Sequence, residues 1–419
     1  MDYIARALEK RLYKYEKTYK AVLITGARQV GKSTLLKKVF PDRKYVSLDD
    51  PFLEQQAKEA GSMFLTLNAP PVIIDEVQRA KELFRYIKIK CDESEEKGLF
   101  LLSGSQPFHL MQNVSESLSG RIGVIELSGL SMRESMGDVF DRHFLPTLEY
   151  VSERKKTLRR QENIWNVIHM GGYPELQDED KEWSAFYADY VKTYMERDVR
   201  ELAAVQDLGV FRQFMIAAAA RTGEILNYSA IASEIGKDVG TVKNWFSILE
   251  ASGIVYLLEP YTSNVLKRAI KSPKLYFRDT GLVCYLTRWL TPENLAYGAM
   301  SGPIFETFVV SEILKSFANE GLDYRHFVSY YRGRDKKKIK EDGKAWEIEA
   351  EIDLIIEENG ILYPVEIKKN TQAKAVMTAA FDVLDHIPGK KRGMGAVLCN
   401  CPDVGALREN ILQIPVWYI

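Results

Sequence analysis

The feature that most constrains this chain is a glycine-rich stretch at residues 26–33, which reads Gly-Ala-Arg-Gln-Val-Gly-Lys-Ser. Four apolar residues at 21–24 lie just before it and indicate a short buried strand, and the run that follows has the composition of a helix. Gly26 and Gly31 let the backbone curl so that its N–H groups point inward, and the helix adds its positive N-terminal end. The combination predicts a phosphate-binding loop beside a parallel sheet, in a protein of the α/β class.

The side chains of this stretch predict what the loop binds. Lys32 is expected to reach the β- and γ-phosphates of a nucleoside triphosphate, and the Ser33 hydroxyl is placed to ligate Mg²⁺. We therefore expect ATP and Mg²⁺ as cofactors. They would be held by one continuous set of residues, namely Gly26, Ala27, Arg28, Gln29, Val30, Gly31, Lys32, Ser33 and Thr34.

A second element supplies the carboxylates that such a site needs. The apolar run at 72–74 ends in Asp75 and Glu76. Because the carboxyl ends of parallel strands face the ligand crevice, Asp75 is predicted to lie beside Mg²⁺. Glu76 points elsewhere and is a candidate catalytic residue that polarises the attacking water. The pair favours an ATPase that activates water itself; two acids that end a strand by chance are the alternative.

Two further polar features of this region have competing interpretations. The apolar run at 99–102 leads to Ser103 and Ser105. Ser105, and less so Ser103, is a candidate contact for the γ-phosphate or the attacking water, and a plain turn is the alternative. Arg121 immediately precedes another apolar strand, at 122–127, and is either a catalytic residue or part of a surface ion pair. With the run at 45–48, the strands of this region number five.

Four blocks, GARQVGKST, VIIDEVQ, LLSGSQ and SLSGRIGVIELSGLSMRE, resemble in this order the prokaryotic AAA-type P-loop ATPases that have a C-terminal domain of unknown function. The later blocks GGYPE, RDVREL, LNYSAIASEIG, TVKNWFSILEASGIV and KLYFRDTGL resemble the same family, so the similarity covers most of the chain. The resemblance implies that the Ser105 strand lies between the Lys32 and Asp75 strands. It also makes Arg121 a candidate arginine finger for a neighbour's γ-phosphate, which would require a homo-oligomer.

Residues 227–259 predict a winged helix-turn-helix within a mostly helical middle region. One short helix is expected at 228–236. A second helix is expected from Thr241, whose side chain would cap it, and a strand at 254–258 follows. The residues predicted to face outward are Thr241, Lys243, Asn244 and Ser247. Because few of the outward residues are basic and phosphate contacts dominate DNA affinity, DNA binding and protein docking both stay open.

Residues 351–368 predict a β-hairpin that turns at an Asn-Gly pair. With that turn, Asp353 lies opposite Glu366 at a non-hydrogen-bonded rung, where Cα atoms approach to about 4.5 Å. Lys368 shares their face of the strand. Two carboxylates this close repel each other unless a cation lies between them, so we expect a second divalent metal there. Lys368 would steady the attacking water or the charge of the transition state.

This hairpin resembles the core of the PD-(D/E)xK nucleases, and Glu306 fits the further acid that usually precedes that core. The departure is that no Pro precedes Asp353. The resemblance implies a restriction-endonuclease-like domain, in which Asp353, Glu366 and Lys368 are catalytic and Glu306, Asp353 and Glu366 bind metal. Such folds also persist as inert scaffolds, so an active and an inactive site both stay open. The basic run at 332–340 is either a DNA-phosphate loop or a solvated hairpin tip.

Length and charge bound the domain number and the partners. The 419 residues suggest about two to four domains. We place an ATP-binding domain at 1–150, a helical lid with the winged helix at 151–262, and the nuclease-like domain at 263–419. Because 57 basic and 58 acidic residues give a net charge of −1, any DNA must be held by local patches.

The chain shows no pattern of a membrane or secreted protein. Its start, where we expect an amphipathic helix at 2–18, lacks a signal-peptide pattern, and no apolar run approaches the length of a spanning helix. We therefore expect a cytoplasmic protein with no membrane partner.

The leading hypothesis is an AAA-type ATPase that couples Mg·ATP hydrolysis to a DNA-engaging, metal-dependent nuclease domain. One alternative is an ATP-dependent switch or scaffold that binds a protein partner and carries an inactive nuclease-like domain. Another is an ATPase that binds DNA without cutting it.

Overall fold

The computed structural model describes residues 3–104, 118–160, 163–195, 199, 207–262, 272–334, 338–339, 345–346 and 349–419. Ser105 and the RDVREL block apart from Val199 lie outside these residues. The described chain is a mixed α/β protein with a parallel sheet first, helices in the middle and a mixed sheet at the end. Within these ranges, no helix combines the length and the apolar character needed to cross a membrane.

The N-terminal region alternates strands and helices, as the sequence predicted. In chain order they are α1 (Glu9–Thr18), β1 (Ala21–Thr25), α2 (Lys32–Val39), β2 (Lys44–Ser47), α3 (Pro51–Glu59), α4 (Gly61–Leu67), β3 (Val72–Asp75), α5 (Leu83–Glu93), β4 (Phe100–Ser103) and β5 (Ile122–Glu126). The strands that the structure describes here form a parallel sheet in the order β2-β3-β4-β1-β5. The position of β4 between β1 and β3 confirms the strand insertion that the resemblance implied.

The three central strands of this sheet bring the predicted site residues to one edge. Every residue of β1, β3 and β4 is buried, because the strands are apolar and helices cover both faces. β3 ends at Asp75 and β4 ends at Ser103, level with the end of β1, where the glycine-rich loop begins. Parallel strands present their carboxyl ends together, so these side chains converge.

The first helix is shorter than the predicted range of 2–18, since it begins at Glu9. The preceding residues turn toward the sheet because the buried Arg6 guanidinium donates to the Val30 carbonyl at 2.9 Å and to the Ser128 carbonyl at 2.7 Å. These bonds hold the start of the chain against the glycine-rich loop.

The middle region is helical and ends in a β-hairpin. Its elements are α6 (Met132–Ser135), α7 (Leu148–Arg154), α8 (Ile164–Met170), α9 (Trp183–Tyr194), α10 (Leu208–Ala219), α11 (Tyr228–Ile235), α12 (Val239–Ala251), β6 (Val255–Leu258) and β7 (Lys274–Phe277). β6 and β7 pair antiparallel. The order of α11, a turn, α12 and the strand β6 is the order that the sequence predicted for 227–259, and β7 lies beyond that range.

The predicted start of α12 was wrong by a few residues. Asp238, not Thr241, is the N-cap residue, and its carboxylate accepts from the Thr241 N–H at 2.8 Å. Asp ranks above Thr at this position, which explains the earlier start. The predicted outward face is confirmed for Lys243, Asn244 and Ser247, which are exposed, whereas Thr241 is half-buried.

The C-terminal region packs a long helix against a second sheet. Its elements are α13 (Thr280–Thr287), α14 (Pro292–Tyr297), α15 (Ser301–Glu320), β8 (Val328–Arg334), β9 (Lys338–Ile339), β10 (Ala345–Trp346), β11 (Glu349–Glu358), β12 (Ile361–Lys368), β13 (Lys391–Arg392), β14 (Gly395–Cys399), β15 (Gly405–Arg408) and β16 (Ile411–Pro415). The larger sheet of the described strands has the order β15-β16-β14-β12-β11-β8, and β13 pairs with β12. β8, β11 and β12 are antiparallel neighbours, whereas β12, β14 and β16 run parallel.

The register predicted for the β11–β12 hairpin is confirmed. Leu354 lies opposite Val365, as a two-residue turn at Asn359 and Gly360 requires. Both turn residues have positive φ, 52° and 78°, as the tight turns that join antiparallel strands demand. Because side chains alternate along a strand, this register decides which of them meet on each face of the sheet.

Helix α15 joins the C-terminal sheet to the N-terminal region. The Glu312 carboxylate accepts from the Met132 N–H at 2.7 Å, and the Lys315 ammonium donates to the Leu130 carbonyl at 2.9 Å and to Glu312 at 2.8 Å. These polar side chains are buried. A continuous apolar core surrounds them and contains residues of all three regions.

Candidate functional site

The glycine-rich loop between β1 and α2 has a backbone that its glycines make possible. Gly26 has a φ of 144° and Gly31 a φ of 92°. A Cβ atom on Gly26 would lie 2.1 Å from the Leu127 carbonyl oxygen, so a side chain cannot be accommodated there. Gln29 also adopts a left-handed φ, of 61°. The loop therefore has the tight curl that the spacing of its glycines predicted.

Lys32 is buried inside this curl. Its ammonium donates to the carbonyl oxygens of Gly26, at 3.0 Å, and Ala27, at 2.7 Å. The loop opens into a cavity of about 910 Å³. The predicted loop residues that line this cavity are Arg28, Gln29, Val30, Gly31, Lys32, Ser33 and Thr34. A cavity of this volume is within the usual range for small-molecule and cofactor sites.

Ser33 and Asp75, predicted as the magnesium residues, lie together. The Ser33 hydroxyl donates to Asp75 Oδ2 at 2.7 Å, and the hydroxyls of Tyr45 and Ser103 donate to the same carboxylate. Burial alone would raise the pKa of Asp75, but these hydroxyls and the Glu76 N–H outweigh it and leave the pKa below its ordinary value. Asp75 is thus an oriented carboxylate among oxygen donors, which is the chemistry that Mg²⁺ prefers.

Glu76 follows Asp75 and lines the cavity. Its backbone is left-handed, with φ 55° and ψ 40°, a conformation that costs free energy for a residue with a Cβ atom. The turn separates the two neighbouring carboxylates, and the Gln78 amide donates to Glu76. Burial raises the pKa of Glu76 above its ordinary value. A raised pKa suits a carboxylate that must accept a proton near neutral pH.

The outer wall of the cavity comes from two distant parts of the chain. Tyr3 and Ile4 come from the segment before α1, and Pro174, Glu175 and Tyr190 come from the helical middle. The GGYPE block, which the sequence linked only to family resemblance, supplies Pro174 and Glu175. The cavity at the glycine-rich loop is therefore shared between the N-terminal region and the middle region.

Arg121 lies far from its own loop. It directly precedes β5, whose first residue is level with Ala21 at the start of β1, whereas the loop follows the end of β1. Its guanidinium pairs with Asp92 and donates to the Ser119 carbonyl at 3.0 Å. This placement matches the surface ion pair that the sequence left open, and it keeps Arg121 away from the cavity of its own chain.

Of the candidate contacts after β4, Ser105 falls outside the described residues. Ser103 is buried, and its hydroxyl donates to Asp75. Tyr45 is a further contact of Asp75 that sequence reasoning missed, although its strand was predicted. A tyrosine is an ordinary strand residue, so only the register of β2 against β3, which places Ser47 beside Asp75, could have indicated that this edge mattered.

The four residues predicted for the C-terminal site converge on one cluster. Lys368 lies 2.6 Å from Glu366 and 3.6 Å from Asp353. Asp353 Oδ2 also accepts from the Ile367 N–H at 2.8 Å, one position beyond the last paired rung of the hairpin. Glu306 approaches from α15, with Asp353 and Lys368 among the charges that act on it. We refer to Glu306, Glu351, Asp353 and Glu366 together as the acidic cluster.

Lys274, which sequence reasoning missed, lies among the carboxylates of the acidic cluster. Its ammonium is 2.8 Å from Glu351, 3.5 Å from Glu306 and 3.7 Å from Asp353. The hydroxyl of Tyr276, two residues along β7, donates to Glu306 at 2.6 Å. Among the described residues, no three His, Cys, Asp or Glu side chains are grouped as metal ligands. In the observed arrangement the residues do not fit a divalent ion, because an ammonium takes its place.

The acidic cluster shifts the pKa values of its own carboxyl groups and of the two lysines beside them. Burial, reinforced by the charge of Asp353, raises the pKa of Glu306 and that of Glu366 to about 7. Burial alone would lower the pKa of Lys368, but the charges of Asp353 and Glu366 raise it. Burial alone would also lower the pKa of Lys274, but the charges of Glu306 and Asp353 raise it. Near neutral pH, the negative charge of the acidic cluster is therefore reduced both by the two ammonium groups and by protons on its carboxyl groups.

The sequence matches known families in two places. Residues 18–136 match the family model of the AAA domain. Residues 161–293 match the model of a domain of unknown function (DUF8612), which crosses the boundary that we expected at 262 and ends before the acidic cluster. The first match, together with the loop and its parallel sheet, defines the class: the chain contains a P-loop domain of the AAA type.

Similar whole proteins are uncharacterised. Proteins of Mycobacterium bovis and Mycobacterium tuberculosis are each 27% identical over 352 residues, which cover 84% of this chain and 70% of theirs. Among solved structures, a Walker-type ATPase of Pyrococcus abyssi is 15% identical, covers 68% of this chain and 96% of its own, and has a TM-score of 0.42. AMPPCP-bound DnaA from Aquifex aeolicus is 16% identical, covers 58% and 85%, and has a TM-score of 0.29.

Proposed function

We propose that this protein is a Mg²⁺-dependent ATPase whose nucleotide site is the cavity at the glycine-rich loop. The observation that carries the proposal is the hydrogen bond of 2.7 Å from the Ser33 hydroxyl to Asp75, beside a cavity lined by Lys32 and Glu76. These residue types are the ones that phosphoryl transfer from a nucleoside triphosphate uses.

Each residue of the loop has a role set by its chemistry. The inward N–H groups of residues 26–34 bind phosphate oxygens, and Lys32 exchanges the carbonyls of Gly26 and Ala27 for the β- and γ-phosphates. Ser33 and Asp75 hold Mg²⁺, which neutralises charge on the phosphates. Glu76 orients the attacking water and takes its proton, a role that its raised pKa supports.

Two further residues that the sequence predicted for the site, Ser105 and Arg121, complete the proposal. Ser105 would contact the γ-phosphate or the water from the end of β4. Arg121 would act only on the nucleotide of a neighbouring copy, because it lies at the opposite edge of its own sheet from the loop. An arginine finger in this chain therefore requires a homo-oligomer, and Arg121 would have to leave Asp92 to serve as one.

For the C-terminal half, we extend the proposal to a PD-(D/E)xK-like domain that engages DNA together with a winged helix at α11–β7. The support is the order of α15, three antiparallel strands, a connection and the parallel strand β14, with Glu306, Asp353, Glu366 and Lys368 on neighbouring elements. In this proposal Glu306, Asp353 and Glu366 would hold a divalent ion only after the Lys274 ammonium leaves them, and Lys368 would stabilise the reacting phosphate.

A second candidate function is a nucleotide switch that binds a protein partner and carries an inactive nuclease-like domain. The observation that favours it is Lys274, whose ammonium lies among the carboxylates that a metal would need. The exposed face of α12 also offers a single basic residue, Lys243, among those predicted to face outward, whereas DNA affinity comes mainly from phosphate contacts.

The test is a paired assay of ATP turnover and DNA cleavage by the purified chain. Plasmid and linear DNA are incubated with Mg²⁺ or Mn²⁺, with and without ATP, beside the Glu366→Ala variant. The ATPase proposal predicts turnover in both proteins. Cleavage that Glu366→Ala abolishes supports the nuclease. ATP turnover without cleavage and without salt-dependent retention on a DNA column supports the switch, and absence of ATP turnover contradicts the ATPase.

A further inference from the structure

The ammonium of Lys274 occupies the acidic cluster as a metal ion would. It contacts three carboxylates that come from two elements, Glu306 on α15 and Glu351 and Asp353 on β11. Its side chain is only 4% exposed. A buried ammonium is stable only where opposite charge compensates its lost hydration, so Lys274 and the carboxylates depend on each other.

Charge counting shows why the cluster needs this cation. It contains four carboxyl groups, and Lys274 and Lys368 are the cations that the described structure brings to it. The closely spaced carboxylates repel one another, and a cation between them relieves the repulsion. A divalent ion and the Lys274 ammonium would approach the same oxygens of Glu306 and Asp353, so binding of one weakens binding of the other.

Lys274 is also held in place from outside the cluster. It is the first residue of β7, which pairs with β6. Just beyond β7, Arg278 forms an ion pair with Glu126 at the end of β5, and Asp279 accepts from the Gly172 N–H at 2.7 Å. Gly172 lies two residues before Pro174 in the wall of the nucleotide cavity. The position of the ammonium is thus set by the packing of β7 as well as by attraction to the carboxylates.

We propose that Lys274 is a built-in counter-ion that competes with a divalent cation for the acidic cluster. This inference rests on the cation role proposed above for Glu306, Asp353 and Glu366. With Lys274 in place the cluster binds a divalent ion weakly. Tight binding requires the ammonium to withdraw, which means a movement of β7 or a new rotamer of Lys274.

The first test measures Mn²⁺ binding to the full chain without nucleotide, by electron paramagnetic resonance of free Mn²⁺. Mn²⁺ binding that is lost in Glu366→Gln is assigned to the acidic cluster. Lys274→Gln is expected to tighten that binding by at least about 10-fold, because a fixed positive charge within a few ångströms is lost. Lys274→Arg keeps the charge and is expected to bind Mn²⁺ as weakly as the wild type.

A second test uses the wild-type chain and so does not depend on the folding of a variant. Acetylation of each lysine is followed by mass spectrometry as Mn²⁺ is added. Lys274 is expected to react faster with Mn²⁺ because the ion displaces its amine from the carboxylates, and this change should be absent in Glu366→Gln. Lys315, which is buried against Glu312 outside the cluster, is the matched control and should not respond.

The outcomes separate the two proposals. If wild type and Lys274→Gln bind Mn²⁺ equally at the cluster, or if Mn²⁺ leaves the acetylation of Lys274 unchanged, the counter-ion role of Lys274 is overturned. The proposal that the acidic cluster is a cation site then still stands. Absence of Glu366-dependent Mn²⁺ binding in every variant overturns both, and the cluster is then a salt-bridged joint between β7 and the C-terminal sheet. ATP turnover by the same samples reports on the ATPase independently.

Discussion

The two carboxylate sites of this protein differ in the groups that contact their carboxylates. Asp75 accepts hydrogen bonds from the hydroxyls of Ser33, Tyr45 and Ser103, which are neutral donors. Asp353, in the acidic cluster, lies within 3.7 Å of the Lys274 ammonium and 3.6 Å of that of Lys368. Both carboxylates are buried, so burial alone does not distinguish the sites.

The difference lies in how each site treats the negative charge. Hydroxyl donors orient a carboxylate and leave its charge intact, so Asp75 remains complementary to a cation that arrives with the nucleotide. Ammonium groups neutralise the charge, so a metal must displace Lys274 before it can bind among Glu306, Asp353 and Glu366. The first site therefore keeps the negative charge that the proposed Mg²⁺ site needs, whereas the charge of the second site is already compensated by ammonium groups.

The largest expected effect is at the first site. Lys32→Ala should weaken ATP binding by on the order of 100-fold, since it removes a buried cation that pairs with phosphate. Isothermal titration with a non-hydrolysable ATP analogue measures the loss. The exposed Lys81, in the same domain, supplies the control Lys81→Ala, which should bind as the wild type does. Equal affinities of the two variants would remove the loop from the nucleotide site.

Glu76→Gln should keep ATP bound and slow its hydrolysis by about 100-fold or more, as expected for loss of a general base. Single-turnover hydrolysis measured beside nucleotide affinity separates the two effects. Glu82→Gln changes an exposed carboxyl group shortly after it in sequence and is the control. Unaltered single-turnover rates in Glu76→Gln would show that another group accepts the proton.

Tyr45→Phe sharpens the comparison, because it removes one hydroxyl donor from Asp75 and leaves the carboxylate. We expect ATP turnover to need at least about 10-fold more Mg²⁺, since a hydrogen bond to a charged group contributes about 1.5–3 kcal/mol. Magnesium titrations of turnover measure the change. Tyr13→Phe, whose hydroxyl bonds to the Val39 carbonyl on the far side of α2, is the control. An unchanged magnesium dependence would make Tyr45 a packing residue.

The smallest effect concerns pH and the acidic cluster. Because the pKa of Glu366 is raised to about 7 in the folded chain, the folded state binds the proton more tightly than the unfolded state. Its contribution to stability is full below the ordinary glutamate range and is lost as pH rises through about 7. Relative to Glu366→Gln, the wild type should therefore lose about 1–3 kcal/mol between pH 5 and 8. Urea unfolding at both pH values measures this; a constant difference would contradict it.

Sequence reasoning predicted what local rules determine. The glycine spacing gave the loop around Lys32, the strand ends gave Asp75 and Glu76, and the Asn-Gly turn gave the register that brings Asp353 toward Glu366. It missed Tyr45 and Lys274, because neither belongs to a local motif. Lys274 opens an apolar strand of the middle region, and its partners are elsewhere in the chain, so only tertiary packing reveals that they meet.

The most direct measurement is a crystal structure of the wild-type chain grown with a non-hydrolysable ATP analogue and an equal concentration of Mn²⁺, with anomalous diffraction used to locate the ion. The account predicts Mn²⁺ beside Ser33 and Asp75, with Lys274 still among the carboxylates of the acidic cluster. Mn²⁺ at Glu306, Asp353 and Glu366, with none beside Ser33, would contradict it.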